Sequence, residues 1–309
     1  MLGRLLLTAS HSDRLRDFVA TAPVTRPVVD RFVAGEELPD ALTAVRGLTD
    51  GGLDVTIDYL GEDITDASQA ERNRDAYLRI LDAVAPLGLG GRVEVSVKLS
   101  AFGQSLGADG HALALANVRP VAEAAARAGT TVTLDMEDHT TADSTLAILD
   151  DLRRDHPGTG AVLQSYLFRT EDDCRRLATA GSRVRLVKGA YREPASVAHQ
   201  DRRAVDLAYV RCLKILMAGE GHPMVATHDP RLVAITRELA LRHERQPGTY
   251  EFQMLYGIRT AEQQRLAEDG EKVRVYVPFG TDWYGYFTRR LAERPANVAF
   301  FLRSFVPGR

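Results

Sequence analysis

Residues 273–290 read VRVYVPFGTDWYGYFTRR and join a strand to the helix that follows it. Valine occupies every second position of the first five residues, which predicts a strand with one apolar face. A proline and a glycine end this strand, and Asp282 can cap the aromatic-rich helix that comes next. That helix carries Arg289 and Arg290 side by side. Paired guanidinium groups suit bidentate binding of a carboxylate or phosphate, although tandem arginines also occur on solvated helix faces.

The composition is that of a globular protein without a nucleic-acid footprint, because the net charge of the 309 residues is -3. Cys174 and Cys212 are the two cysteines, too few for a disulfide framework, which favours a reducing compartment. The opening MLGRLLLTAS is too short for a secretion signal, and no apolar run reaches the length of a spanning helix. We therefore expect a soluble, cytoplasmic protein.

Residues 1–50 show helical spacing of apolar side chains, with breaks near Pro23 and Gly35. No chemistry is evident in this segment, which we predict to be a helical cap or side layer. Residues 51–309 are predicted to form one catalytic domain, since no internal repeat or low-complexity linker divides them.

Eight short runs rich in β-branched residues follow one another from residue 53 onwards. They span residues 53–61, 92–100, 131–138, 161–168, 184–191, 223–229, 250–257 and 273–280. Helix-like stretches separate most of them, for example residues 67–84, 112–128 and 201–217. This alternation predicts an α/β fold of the (β/α)₈ TIM-type barrel class. A doubly wound open sheet is the alternative, but no G-x-G-x-x-G follows the first strand.

Strand alternation predicts which polar side chains enter the barrel, because the surrounding helices demand the apolar set. The second and third strands then direct Lys98 and Asp135 inward, with Gln164 beyond them and Asp58 on the first strand. A buried ion pair costs several kcal/mol per ion in desolvation, so this pair suggests a functional site at the strand ends. The other interpretation is a structural salt bridge that fixes the barrel register.

A metal site is a competing interpretation, because five residues of ligand type lie near predicted strand ends: Asp135, Glu137, Asp138, His139 and His228. No His-x-His on the first strand, no H-E-x-x-H and no third histidine at a strand end accompany them. We expect His139, in a turn after Asp138, to be a surface residue. No metal is predicted.

The fifth strand continues as VRLVKGAYRE, which places two cations before two small residues. Alternation puts Arg185 and Lys188 on opposite faces unless Gly189 bends the strand. Small residues let the backbone approach a large flat ligand, and nearby cations favour an anionic one. A flavin with its diphosphate fits this description, and a phosphate-bearing substrate fits nearly as well. Thr227 and His228 could serve the same ligand by hydrogen bonds.

These motifs together resemble the proline dehydrogenase family, most closely its single-function bacterial form. The resemblance runs from SVKLS through TLDMED, RLVKGAY, ATHD and FQMLYG to YVPFGTDWYGYFTRRLAERPAN, roughly residues 53–305. It implies a distorted (β/α)₈ barrel whose last helix lies over the carboxyl ends of the strands. It also implies non-covalent FAD, oxidation of L-proline to Δ1-pyrroline-5-carboxylate, and electron transfer to a membrane quinone.

The resemblance further implies roles for individual residues. Arg289 and Arg290 resemble the clamp for the proline carboxylate, and Glu62 resembles the partner of the first arginine that closes a lid. The family residues that frame the substrate ring correspond, by this resemblance, to Lys98, Leu186, Tyr191 and Tyr276. Asp135 resembles the acidic residue that holds Lys98 and supports catalysis, and Arg185 the arginine near flavin N5. The positions that resemble flavin contacts are Met136, Gln164, Arg185, Lys188, Gly189, Ala190, Thr227, His228 and Glu293. Residue 229 is Asp where relatives often have Asn.

Partners follow from the same resemblance: L-proline, a membrane quinone and a separate pyrroline-5-carboxylate dehydrogenase, with peripheral contact at the inner face of the cell membrane. Two other functions stay open at this point. One is another flavin-dependent barrel oxidoreductase, similar to methylenetetrahydrofolate reductase. The other is a non-catalytic barrel that binds an amino acid.

Overall fold

Eight parallel strands close into a barrel in chain order, so each strand pairs with its sequence neighbours and β8 pairs with β1. The computed structural model describes residues 29–61 and 64–293, with the side chains of residues 289–293 outside that description. The strands are β1 Asp54–Tyr59, β2 Val93–Lys98, β3 Val132–Asp135, β4 Gly160–Gln164, β5 Arg183–Val187, β6 His222–Ala226, β7 Glu251–Leu255 and β8 Val273–Phe279. The predicted (β/α)₈ barrel is confirmed, and the closed strand order rules out an open doubly wound sheet.

Helices connect the strands and cover the outside of the barrel. They are α1 Leu38–Asp50, α2 Ala67–Val84, α3 Gly110–Arg127, α4 Ala142–Arg153, α5 Thr170–Leu177, α6 Arg202–Ala218, α7 Pro230–Arg242, α8 Thr260–Glu268 and α9 Trp283–Glu293. Short 3₁₀ turns at Ala85–Leu87, Gly90–Arg92 and Leu99–Phe102 flank β2. No helix in the described part of the chain is both long and apolar enough to cross a membrane.

The apolar set of each strand packs against these helices and forms the main core. On β2, for example, Val93, Val95 and Val97 are each at most 1% exposed and belong to the same apolar cluster as Ile80 of α2. The alternate residues of β2 face the lumen, which therefore receives polar side chains, as predicted.

Helix α9 starts four residues after β8 and lies at the carboxyl ends of the strands. Its Trp283 and Phe287 belong to an apolar cluster with Leu60, which follows β1, and Ile258, which follows β7. Phe32 from the segment before α1 joins the same cluster, 6.3 Å from Phe287 between ring centroids. The expected position of the last helix over the strand ends is confirmed.

The amino-terminal helix α1 contributes to the main core through Ala41 and Val45, both 0% exposed. The predicted helices before residue 29 lie outside the described residues. The division into a segment of residues 1–50 and a barrel of residues 51–309 stays a prediction.

Candidate active site

Lys98, the last residue of β2, points into the barrel mouth and meets a carboxylate from β1. Its Nζ lies 2.9 Å from Oδ2 and 3.1 Å from Oδ1 of Asp58, whose side chain is 1% exposed. The distance from Nζ to Asp135 Oδ2 is 3.9 Å, although Asp135 is the register partner of Lys98 across the β2–β3 pair. Lys98 and Asp135 do approach one another as predicted, but Asp58 is the nearer carboxylate.

Asp135, at the end of β3, connects two other strands through its two oxygens. Arg185 of β5 donates from Nη1 to Oδ1 at 2.7 Å, and Tyr276 of β8 donates its hydroxyl to Oδ2 at 2.8 Å. The Arg185 guanidinium also lies over the Tyr276 ring, 5.3 Å from its centroid. Burial, followed by the charge of Asp135, holds the pKa of Tyr276 well above its ordinary value. Tyr276 is therefore a neutral hydrogen-bond donor and not an anionic base.

The lumen thus gathers Lys98, Asp135, Arg185 and Tyr276 from four different strands. The structure brings these predicted residues together at the end of the barrel where active sites of this fold lie. Arg185 is 3% exposed, and its charge is shared with Asp135 and with Glu94 of β2 at 3.2 Å. The site combines ion-paired cations with a neutral tyrosine donor at the carboxyl ends of the strands.

The loop after β5 wraps around the side chain of Tyr166, which follows β4. Gly189 has φ +118°, and a Cβ built there would overlap the Tyr166 ring. The Tyr166 hydroxyl accepts from the backbone N–H of Tyr191 at 3.2 Å. Gln164, 2% exposed, donates to the carbonyl of Glu137 at 2.6 Å, and its Oε1 lies 3.4 Å from the amide nitrogen of Ala190. Only a glycine permits this close approach of loop and ring.

Glu193 ties this loop to the loop after β3. Its carboxylate, 3% exposed, accepts from the backbone N–H of His139 at 2.8 Å and forms a short contact with the His139 ring. The Tyr166 hydroxyl lies 3.5 Å from the same carboxylate. The expectation of a surface position for His139 is wrong, because its ring is half-buried against Glu193. We name Glu193, His139 and Tyr166 the loop latch.

Lys188 lies outside the lumen, on the opposite face from Arg185, as alternation predicts. Its Nζ is 2.6 Å from Asp206 of α6 and 3.5 Å from Asp229 in the loop after β6. Asp229 caps α7 by accepting from the backbone of Arg231, and hydrogen bonding from the Arg231 side chain is the main cause of its lowered pKa. An Asp at residue 229 is thus accommodated as a helix cap.

Thr227 and His228 follow β6 at the same rim. The Thr227 hydroxyl accepts from the backbone N–H of Asp229 at 3.0 Å. His228 Nε2 accepts from the backbone N–H of Leu255 at 3.0 Å, which assigns the proton of the neutral ring to Nδ1.

Two predicted site residues belong to the apolar core. Met136 is 6% exposed and Leu186 is 1% exposed, both within the cluster between strands and helices. Their roles toward flavin and substrate stay predictions. Tyr191 is 38% exposed at the barrel mouth.

Four predicted residues cannot be placed. Glu62 lies outside the described residues, and so do the side chains of Arg289, Arg290 and Glu293, although the backbone of these last three belongs to α9. Their clamp, lid and flavin roles stay predictions. No group of three or more His, Cys, Asp or Glu suited to a metal ion occurs among residues 29–61 and 64–293.

A second polar layer, which the sequence reasoning did not predict, fills the lumen below Arg185. Arg274 of β8 is 0% exposed and donates to Glu251 of β7 at 2.8 Å, while Glu94 Oε1 lies 3.9 Å from its Nε. Arg183 at the start of β5 is 2.8 Å from Glu94 Oε2. The signal available in the sequence was the alternation of Glu94, Glu251 and Arg274 with buried apolar residues on their strands.

A closed barrel with charged, hydrogen-bonded side chains at its carboxyl mouth is the arrangement of the (β/α)₈ barrel enzymes, whose active sites lie at that end. The family model described as proline dehydrogenase matches residues 41–303. The chain belongs to the proline dehydrogenase family.

Curated relatives support this membership along the whole chain. The chain is 39% identical over 306 residues to proline dehydrogenase 1 of Bacillus subtilis, covering 99% of both chains. It is also 39% identical over 285 residues to proline dehydrogenase of Deinococcus radiodurans, covering 91% of both.

A solved structure shares the fold. Proline utilization A of Bdellovibrio bacteriovorus, inactivated by N-propargylglycine, superposes with a TM-score of 0.81 at 23% identity. The match covers 92% of this chain and 34% of that one, so this chain corresponds to about a third of the larger protein.

Proposed function

We propose that the protein is an FAD-dependent proline dehydrogenase that oxidises L-proline to Δ1-pyrroline-5-carboxylate, the first step of proline catabolism. The observation that carries this proposal is the lumen group of Lys98, Asp135, Arg185 and Tyr276, held by hydrogen bonds at the barrel mouth of a chain in this family. We also propose that electrons pass to a membrane quinone, which requires peripheral contact of a cytoplasmic protein with the membrane. A separate dehydrogenase would consume the product.

The chemistry of the rim fits FAD. Gln164 places a buried carboxamide at the rim, Gly189 and Ala190 keep large side chains away from it, and the ring of His228 carries its proton on Nδ1. Lys188 supplies a cation that is about one-third exposed, as a diphosphate requires. When bound, FAD supplies the hydride acceptor.

The side chains of the chain supply position and charge. Arg289 and Arg290 hold the proline carboxylate, and the lumen face of Tyr276 and Lys98 sets the orientation of the ring. Because hydride transfer needs one C–H aligned with its acceptor, most of the rate advantage comes from this orientation. Tyr276 stays protonated, so it donates a hydrogen bond and does not remove the amine proton.

The absorption spectrum of the purified protein, recorded anaerobically before and after L-proline, tests the proposal. Oxidised flavin bands that bleach with L-proline are expected. Protein without flavin would favour a non-catalytic amino-acid-binding barrel. Bleaching by NADH or a reduced folate but not by L-proline would favour an enzyme similar to methylenetetrahydrofolate reductase.

A second experiment tests the carboxylate clamp. Arg289→Met and Arg290→Met should each raise the KM for proline at least tenfold, since each charge-assisted contact is worth roughly 1.5–3 kcal/mol. A near-normal KM in both variants would remove the clamp from the proposal.

A further inference from the structure

The guanidinium group of Arg185 is held in one plane by four hydrogen bonds within the lumen. Nε donates to Gln253 Oε1 at 2.5 Å, and Nη1 donates to Ser96 Oγ at 2.9 Å and Asp135 Oδ1 at 2.7 Å. Nη2 donates to Glu94 Oε1 at 3.2 Å. Of these four partners, Glu94 comes from β2 and Gln253 from β7, so the guanidinium is held from two separate strands besides β3.

Glu94 is a carboxylate shared among three arginines. Its side chain is 0% exposed, and besides Arg185 it meets Arg183 at 2.8 Å and Arg274 at 3.9 Å. The hydroxyl of Thr56 also donates to Oε1 at 2.8 Å. Burial alone would raise the pKa of Glu94, but the three arginines together lower it, so the group stays ionised.

Removing this charge would have two separate consequences. The Arg185 plane would lose one of its anchors, and three neighbouring guanidinium groups would lose their shared anion. The first change affects alignment, which governs the rate of a hydride transfer. The second makes the lumen more positive, which stabilises any negative charge that develops above it.

We propose that Glu94, together with Gln253, is a positioning residue for Arg185: it fixes the guanidinium plane in the lumen and balances the charge of the arginines there. This inference rests on the proposed function, because it takes Arg185 as the arginine near flavin N5. Glu94 is fully buried, so it would act through Arg185 and through the charge that it shares with Arg183 and Arg274.

Glu94→Gln in the flavin-loaded protein tests the proposal. The rate of flavin reduction by L-proline should fall by ~10–100-fold, since misalignment of this kind has such an effect. The KM for proline should stay within about threefold, because the carboxylate is bound elsewhere. The midpoint potential of the flavin should shift to more positive values. A more positive flavin potential by itself favours reduction of the flavin. A slower reduction at such a potential therefore indicates lost alignment and not a general loss of structure.

Two further variants complete the experiment. Gln253→Met removes the Nε contact without changing charge, so the rate should fall while the potential stays at the wild-type value. Asp54→Asn removes a carboxylate 3.3 Å from Arg274 that does not contact Arg185, so the rate should stay unchanged.

The outcomes separate the inference from the proposed function. Wild-type rates in both Glu94→Gln and Gln253→Met would overturn the inference, and so would an equal loss in Asp54→Asn. If Glu94→Gln does not fold, Gln253→Met decides alone, by a slower rate at an unchanged potential or by a wild-type rate. Wild-type protein whose flavin L-proline does not reduce would instead overturn the proposed function.

Discussion

The ammonium group of Lys98 lies 2.9 Å from the carboxylate of Asp58, and this pair spans the β1–β2 edge of the barrel mouth. Tyr77 of α2 supports it from outside: its hydroxyl lies 3.4 Å from Asp58 Oδ1 and donates to the carbonyl of Ser96 at 2.7 Å. Asp135 accepts hydrogen bonds from Arg185 and Tyr276. Among the described residues, Lys98 therefore lies nearer to Asp58 than to Asp135.

Asp58→Asn should lower kcat/KM for proline by ~10–100-fold, because a charge-assisted contact is worth roughly 1.5–3 kcal/mol. The lysine would lose the carboxylate that lies 2.9 Å from its Nζ and would move toward Asp135. Steady-state assays with a dye acceptor measure the change. Asp54→Asn, the same substitution at the other end of β1, is the control and should keep wild-type activity. Equal activity of the two variants would contradict the role given to Asp58.

Gly189→Ala should weaken FAD binding by ~10-fold or more, since an overlapping side chain at positive φ costs on the order of 1–3 kcal/mol. The methyl group would displace the Tyr166 ring from the loop. Titration of the apoprotein with FAD, followed by fluorescence, gives the dissociation constant. Gly181→Ala is a matched control, because Gly181 has φ +75° with nothing within 4 Å of its Cβ position. A Gly189→Ala protein with wild-type FAD affinity would show that the loop can shift freely.

Glu193→Gln should release the loop latch and raise the FAD dissociation constant by ~10–100-fold, from the loss of charge-assisted bonds worth roughly 1.5–3 kcal/mol. His139→Asn should act in the same direction but less, because the backbone N–H of residue 139 still reaches Glu193. Glu171→Gln is the control, since Glu171 pairs with Arg211 at the surface, where such pairs contribute little. Unchanged affinity in Glu193→Gln would leave the latch with a purely structural role.

His222 should make stability depend on pH. Burial, the largest effect on this ring, lowers the pKa of His222 below its ordinary value of 6.5. Below pH 6.5 the unfolded chain therefore binds a proton that the folded protein does not, and stability falls as the pH falls. His222→Gln should flatten the dependence of Tm on pH between neutral and mildly acid solution.

The matched control for this measurement is His243→Gln. His243 is exposed in the folded protein, so its surroundings change little on unfolding and the wild-type pH dependence should remain. If His222→Gln loses Tm on acidification as steeply as the wild type does, the buried histidine is not the source of the pH dependence.

Much of the fold could be predicted because its signals are local. Apolar periodicity gave the bounds of α2 as observed, and an Asp66–Gln69 capping box fixes its start. The predicted strands run past their true carboxyl ends, by three residues at β3, because the βα loops continue with apolar residues such as Met136. Alternation correctly placed Lys98 in the lumen and put Arg185 and Lys188 on opposite faces of β5.

The choice of partners could not be predicted, because alternation assigns a face and not a contact. The long side chain of Lys98 on β2 reaches Asp58 on the neighbouring strand β1 at 2.9 Å. It lies farther, at 3.9 Å, from its register partner Asp135. The Glu193–His139 contact joins residues 54 apart in the chain, and nothing local marks it. To predict the contacts of Glu94, one would need to know the relative heights of four strands along the barrel axis, and only the closed barrel fixes these heights.

Arg274 determines from which end of the barrel a ligand can reach the lumen. Its guanidinium donates to the carbonyls of Val55, Gly91 and Arg92 while also meeting Glu251, and it acts as a plug at the amino-terminal end of the barrel. Anything that reaches Arg185 must then arrive past the carboxyl ends of the strands. Under the proposed function, proline, the product and the electron acceptor would all enter and leave at the carboxyl end of the barrel, one after another.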